Sequence, residues 1–274
     1  SGMAPCLIAR DPERAAQLQQ GIKCDGVIYP VDVVDPNQLS PQSISCLLLC
    51  TKAHDSMLAL SHVAHALSPQ GQIICLQNGI GQQAAIAERW PTLSIYAALC
   101  TEGVTRTGTG DIIHAGAGHT DIGQLFGPPH TLPDALFSHS LQVYACDNIS
   151  PLLWRKLAIN GAINGLTVKH DCRNGELLQR VDVYNELKGI VDEIGQVLNA
   201  NGHCEASHGL LEQVQKVCKS TAMNTSSMLQ DFRANRPSER AYVYGTLLDE
   251  ASKAKIDVPM LEQLNHHLMR RETV

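Results

Sequence analysis

The chain has 274 residues, 44% hydrophobic and 18% charged, with a mean hydropathy of −0.08. That is enough apolar material for a real core, which excludes a wholly disordered chain, and at about 150 residues per domain it points to two domains or one large one. A formal charge of −6 excludes the basic footprint of a nucleic-acid binder, and no stretch reaches the ~18 apolar residues of a membrane span. Ten cysteines include no Cys-x-x-Cys pair. This usage reads as reduced thiols and, with no signal peptide before the first structured segment, as a cytoplasmic protein. The histidines lack the His-Glu-x-x-His spacing of a helical metal site, so no metal is expected.

The first half alternates short apolar runs with helical patterns. Cys6 to Ala9 reads as a strand, followed by Asp11-Pro12, a helix cap with proline at the first helical position. Residues 26–29 and 31–34 are further strands. Ser45 to Cys50, apolar on both faces, reads as a fully buried strand. A helix from about Asp55 to Leu67 ends at Ser68-Pro69, and strand 72–76 leads into the loop Gln77-Asn78-Gly79. A helix to about Trp90 and a strand from Ser94 to Leu99 close the series. Strand alternating with helix predicts a parallel sheet with covering helices. From about Thr101 to Gly127, alternating segments broken by glycines read as antiparallel hairpins added to the sheet edge. After Cys146 the pattern is helical: 151–168, 181–201, 206–221, 238–254 and 259–271. The expected organisation is an α/β domain over 1–148 and an all-helical domain over 149–274.

The segment with most chemistry runs from Leu153 to Asn164. On a helix, Lys156, Asn160 and Asn164 fall at i, i+4 and i+8, within a wedge of about 80°. Leu153 and Leu157 flank the wedge on one side, Ile159 and Ile163 on the other. A lysine and two amides in an apolar stripe are costly if unpaired, so they form either a polar column satisfying neighbouring loops or a ligand site with a proton to give. Asn78-Gly79 follows a buried strand where ligands lie in open α/β sheets, although Asn-Gly is also a common turn. Lys52 follows the preceding strand and points a cation toward the carboxyl edge of the sheet, although taken alone such a lysine is more often simply solvated. Arg10, directly after the first strand, stands where an arginine accommodates the 2′-phosphate of NADP. Glu239 opens an apolar helical stripe with Val243, Thr246 and Leu247, and is either a helix-start acid or an inward-facing carboxylate.

In combination, Leu153-Trp-Arg-Lys-Leu-Ala-x-Asn with Asn164, Asn174-Gly-Glu176, Ser226-Ser-Met-Leu-Gln-Asp231, Glu239, Lys52, Gln77-Asn78-Gly79 and His114 resemble ketopantoate reductase (2-dehydropantoate 2-reductase) over nearly the whole chain. The resemblance implies a Rossmann-like parallel-sheet domain followed by a helical substrate domain. It implies NADPH-dependent reduction of ketopantoate to pantoate, on the route to pantothenate and coenzyme A. By position, Lys156 matches the family's general acid and Glu239 the carboxylate on the substrate hydroxyl. Asn78, Asn160, Asn164 and Ser227 match its substrate contacts. Arg10 and Lys52 match the cations on the 2′-phosphate of NADPH, with Asn78 also at the cofactor. Helical second domains of this kind often pair, so a homodimer is an assembly the resemblance allows.

The family pattern opens with a strand and a Gly-x-Gly-x-x-Gly turn that cradles the pyrophosphate. Here Ser1 to Pro5 lead directly into what is its second strand, leaving about twenty residues of the pattern outside this chain. A parallel sheet without its central strand is expected to expose unpaired edges, inviting oligomerisation or strand exchange. Smaller departures are Ala241 and Tyr244, where the family commonly has Asp and Asn. Two alternatives stay open: a reductase of another branched 2-oxo acid, and a non-catalytic relative that has lost cofactor binding.

Overall fold

The computed structural model describes residues 5–108, 110–137 and 142–272. The chain divides into two compact units: Ser1–Gln77 with Gln83–Ile149, and Ser150–Val274 with the short loop Asn78–Gln82.

In the first unit, β1 (Cys6–Ile8), α1 (Pro12–Leu18), β2 (Ile22–Cys24), β3 (Val27–Tyr29), β4 (Asp32–Val34), β5 (Ile44–Leu49), α2 (Ser56–Val63), β6 (Leu67–Cys75), α3 (Gln82–Arg89) and β7 (Ser94–Cys100) follow in order. They continue with β8 (Gly103–Arg106), β9 (Asp111–Gly116), β10 (Thr120–Phe126) and β11 (Val143–Ala145). The start of α1 is dictated locally: Asp11 is extended, its carboxylate accepts the Arg14 amide at 2.7 Å, and Pro12 takes the first helical position.

The main sheet has the order β11-β10-β7-β6-β5, with β5, β6 and β7 parallel and β10 antiparallel to β7. Its strands alternate sides. Ile73 joins Leu60, Ile86 and Ile95 in one cluster, while Ile74 joins Tyr96 and Ile122 in the other. Ile73, Ile74, Ile86 and Ile95 are wholly buried, worth roughly 1.5–3 kcal/mol apiece.

Three expectations are corrected here. Strand β5 is an edge strand among the described residues, not a fully buried one: Leu48 is 43% exposed and Ser45 is exposed, because β6 covers only one side. Of the strands between Thr101 and Gly127, β10 alone joins the main sheet. β8 and β9 pair instead with β2 and β3 in a second sheet, order β3-β2-β9-β8, in which Lys23 lies opposite Asp111. Third, α2 ends at Val63, and Pro69 lies inside β6 rather than between helix and strand. The ladder to β5 is irregular there, stepping from Ile44–Leu67 to Cys46–Gln72, and such an irregularity tolerates the missing N–H of proline. Among the described residues, β1 and β4 pair only with each other, in parallel.

The second unit is helical: α4 (Ser150–His170), α5 (Val181–Ala200), α6 (Cys204–Ser207), α7 (Leu210–Ser220), α8 (Ser227–Arg233), α9 (Thr246–Ala254) and α10 (Pro259–Glu272). One continuous core, including Leu157, Leu166, Leu187, Ile194, Val214, Leu247 and Leu264, joins them. The single helix expected over 206–221 is broken at Gly209, whose φ of +63° is left-handed backbone open to glycine. Among the described residues no helix is long and apolar enough to cross a membrane.

Tyr244 organises α4. Its hydroxyl is wholly buried, donates to the Gly161 carbonyl at 2.7 Å and accepts the Gly165 amide at 2.8 Å. Those two backbone groups are i and i+4 of the helix, so the hydroxyl inserts into the ladder. A Cβ at Gly165 would lie 2.1 Å from that oxygen, so glycine is required. Burial pushes the phenol up, keeping it protonated. The departure at Tyr244 is therefore a packing feature of α4.

Candidate active site

The helical unit holds a narrow cleft lined by Asn78, Asn160, Asn164, Ser227, Met228, Asp231, Glu239 and Val243. Its volume is about 10 Å³, room for about one water. Each side chain has a local reason to be there. Asn160 and Asn164 are one helical turn apart on α4, both half-buried, between the buried Leu157 and Ile163.

Asn78 is placed by its loop. Gly79 has φ +89°, and a Cβ there would lie 2.6 Å from that of Tyr242; only glycine permits both. The Ile80 amide donates to the Tyr242 carbonyl at 3.2 Å, and the Thr246 hydroxyl donates to the Ile80 carbonyl at 2.9 Å. With the loop so pinned, Asn78 Nδ2 donates to Glu239 Oε2 at 3.1 Å. Glu239 lies two residues before a π-turn over Ala241–Gly245, with the Tyr242 and Val243 amides both directed at its carbonyl. This wider turn sets the phase between Glu239 and the helix that follows, and π-turns are frequent at functional sites.

Ser227 is the first residue of α8. The cap before it is Ser226, which is buried, accepts the Leu229 amide at 3.1 Å and bonds Thr167 at 2.7 Å. The cap is thereby tied to α4, while Ser227 stays exposed at the cleft. Asp231, buried on the same helix, accepts from Arg236 Nε at 3.1 Å. The motif Ser226–Asp231 by itself assigns Asp231 no role; its helical spacing from Ser227, four residues earlier, is the signal that places it at the cleft.

Of the residues expected at a site, the structure gathers Asn78, Asn160, Asn164, Ser227 and Glu239 around one cleft. Lys156 is half-buried one turn earlier on α4, beside rather than among the lining residues. Arg10 and Lys52 belong to the first unit. Arg10 follows β1 with its side chain 86% exposed and its Nε on Asp11 at 2.9 Å. Lys52 is half-buried beyond the end of β5 and begins the turn into α2, its carbonyl accepting the Ser56 hydroxyl.

His114, on β9, pairs with Glu102 at 2.5 Å; the hydrogen bond raises the imidazole and lowers the carboxyl. Burial pushes the thiol of Cys75 up to about 12, and those of Cys172 and Cys218 up to about 11. These three are inert at neutral pH.

A parallel-sheet unit with cations beyond the carboxyl ends of its strands, followed by a helical unit with a cleft of amides and carboxylates, is the make-up of a dinucleotide-type oxidoreductase. Comparison with known proteins narrows this. Residues 1–127 match the family model of ketopantoate reductase PanE/ApbA, and residues 148–272 match that of its C-terminal part. The 2-dehydropantoate 2-reductase of Yersinia pestis is 33% identical over 244 residues, 87% of this chain and 77% of that protein. The enzyme of Escherichia coli O157:H7 is 33% identical over 260 residues, 92% and 82% of the two. Among solved structures, a probable 2-dehydropantoate 2-reductase from Bacillus subtilis matches with a TM-score of 0.80 at 26% identity, covering 99% of this chain and 93% of that one. D-mandelate dehydrogenase, solved with NADH and anilino(oxo)acetate, matches with a TM-score of 0.87 at 21% identity over 99% and 92%, a likeness of fold. The chain belongs to the ketopantoate reductase family and is a nicotinamide-dependent oxidoreductase.

Proposed function

We propose that this chain reduces 2-dehydropantoate to pantoate with NADPH, in the cytoplasm, and that the cleft around Glu239 takes the substrate. The observation that carries this reading is the convergence on one cleft of Asn78, the α4 amides and Glu239, with Lys156 one turn away.

Reducing a ketone requires a hydride at carbon and a proton at oxygen as negative charge develops there. Lys156 is the proton donor in this reading, its ammonium stabilising the forming alkoxide before protonating it. Asn160 and Asn164 orient the 2-oxo acid without adding charge. Glu239 accepts from the substrate hydroxyl, and Asn78 fixes the carboxylate that does so. Ser227 adds one more hydroxyl for the substrate's polar end.

The residues present fit the phosphate end of NADPH, because Arg10 and Lys52 are cations beyond the carboxyl ends of parallel strands, where such ligands lie. They would hold the 2′-phosphate, with Asn78 near the reacting end. When bound, NADPH supplies the hydride. A homodimer is proposed by analogy with a Staphylococcus aureus ketopantoate reductase of like fold described as dimeric.

The test is NADPH oxidation by the chain with a panel of branched 2-oxo acids, with product identified by chromatography. Pantoate formation, with ketopantoate giving the highest kcat/KM, is the expected result. Preference for another branched 2-oxo acid would replace the substrate assignment. Absence of turnover in a chain that binds NADPH would overturn it.

A further inference from the structure

On the other side of α8, the helical unit has a second and larger cavity of about 540 Å³, lined by residues that include Asp171, Phe232, Arg233, His267, Arg270 and Arg271. This volume falls within the usual range for small-molecule sites. Three guanidiniums face one carboxylate here, in a chain whose formal charge is −6. Asp171 engages the Nε and Nη2 edge of Arg233, at 3.0 and 2.8 Å. Arg271 Nη1 donates to the Val168 carbonyl at 2.6 Å, which anchors that arginine at the end of α4.

The surroundings add positive charge. Burial and the cations Arg271, Lys169 and His170 push the His267 imidazole down, against an opposing pull from Glu186. Glu186 itself is already engaged by Lys169 and His170. The His267 Nε2 is buried without a hydrogen-bond partner among the described residues. Phe232 and the buried Leu229 supply an apolar wall.

We propose that this cavity is a binding site for a small organic phosphate, its phosphate among Arg233, Arg270 and Arg271 and its apolar body against Phe232. A phosphate monoester carries close to two negative charges and three acceptor oxygens, so it can meet several guanidinium forks at once. The site does not depend on the reading of the catalytic cleft, which lies on the opposite side of α8 and is lined by Ser227 and Asp231.

The probe is phenyl phosphate, titrated into the full chain by calorimetry at low and high salt. One molecule should bind per chain, more weakly as salt rises. The double variant Arg233→Gln/Arg270→Gln should bind it at least about tenfold more weakly, the scale of one lost charge-assisted bond. Arg10→Ala/Lys52→Ala should bind it as the unaltered chain does. In case the first variant folds poorly, amide shifts in the unaltered chain provide an independent reading and should cluster at residues 229–235 and 267–271. Any of three results would overturn the site: no binding, unchanged affinity in Arg233→Gln/Arg270→Gln, or shifts confined to the first unit.

Discussion

Replacing Tyr244 by phenylalanine and Gly165 by alanine, singly and together, tests whether the hydroxyl and a Cβ compete for one place on α4. Tyr244→Phe removes a donor to Gly161 and an acceptor from Gly165 in a wholly buried setting. At about 1 kcal/mol for each bond, the loss is about 2 kcal/mol. Gly165→Ala pushes a Cβ to 2.1 Å from the hydroxyl oxygen and 2.7 Å from the ring carbon that bears it. Overpacking of this kind costs roughly 1–3 kcal/mol, less about 1 kcal/mol regained from helix propensity. In the double variant the hydroxyl is gone, the helix can close its own i to i+4 bond, and only the ring edge must give way. The double variant should therefore be less destabilised than the sum of the singles by about 1–2 kcal/mol. Urea unfolding followed by far-UV circular dichroism reads this, because the helical unit dominates the signal. Additivity to within ~0.5 kcal/mol would refute the shared-space argument.

Other expectations follow from the two units. Glu239→Gln should raise KM for ketopantoate about ten- to hundredfold, the scale of a hydrogen bond to a charged group, with a smaller change in kcat; the reverse split would remove Glu239 from substrate binding. Arg10→Ala should weaken NADPH far more than NADH, measured by fluorescence titration, and an equal loss of both would refute its 2′-phosphate role. By NMR titration, His114 should have its midpoint above the ordinary 6.5 and return toward it in Glu102→Gln. The raised imidazole contributes its stability below the unfolded value of 6.5 and loses it as pH climbs through the folded one. The lowered Glu102 contributes above 4.5 and loses it as pH falls through its folded value. The pair is thus at full strength between those two ordinary values, and a His114 midpoint at or below 6.5 would contradict it.

Where local chemistry decides the structure, the sequence was legible. Asp11-Pro12 caps α1 as its side chains require, and β5, α2, β6, α3 and β7 follow the alternation of apolar runs and helical spacing. The polar column of α4 could be read from the spacing of Asn160 and Asn164, and Asn78-Gly79 from the strand before it. What escaped was decided at a distance. The pairing of β9 with β2 joins strands far apart along the chain, and strands of three residues carry too little pattern to announce a partner. The exposure of β5 depends on what lies beside it, since an apolar run reads alike at an edge and at a centre. Helix α8, of seven residues, is shorter than the window in which helical periodicity shows, so Asp231 was seen in a motif but not placed. The π-turn after Glu239 has no signature of its own, and the role of Tyr244 emerges only once two glycines of α4 lie against it.

Lys156→Ala tests the proton-donor role of Lys156 directly. NADPH oxidation with saturating ketopantoate should slow by at least about 100-fold in kcat, the usual scale for a lost general acid, while NADPH affinity stays within a factor of two or so. Turnover close to that of the unaltered chain would contradict the assignment and move the proton donor to another group on the cleft.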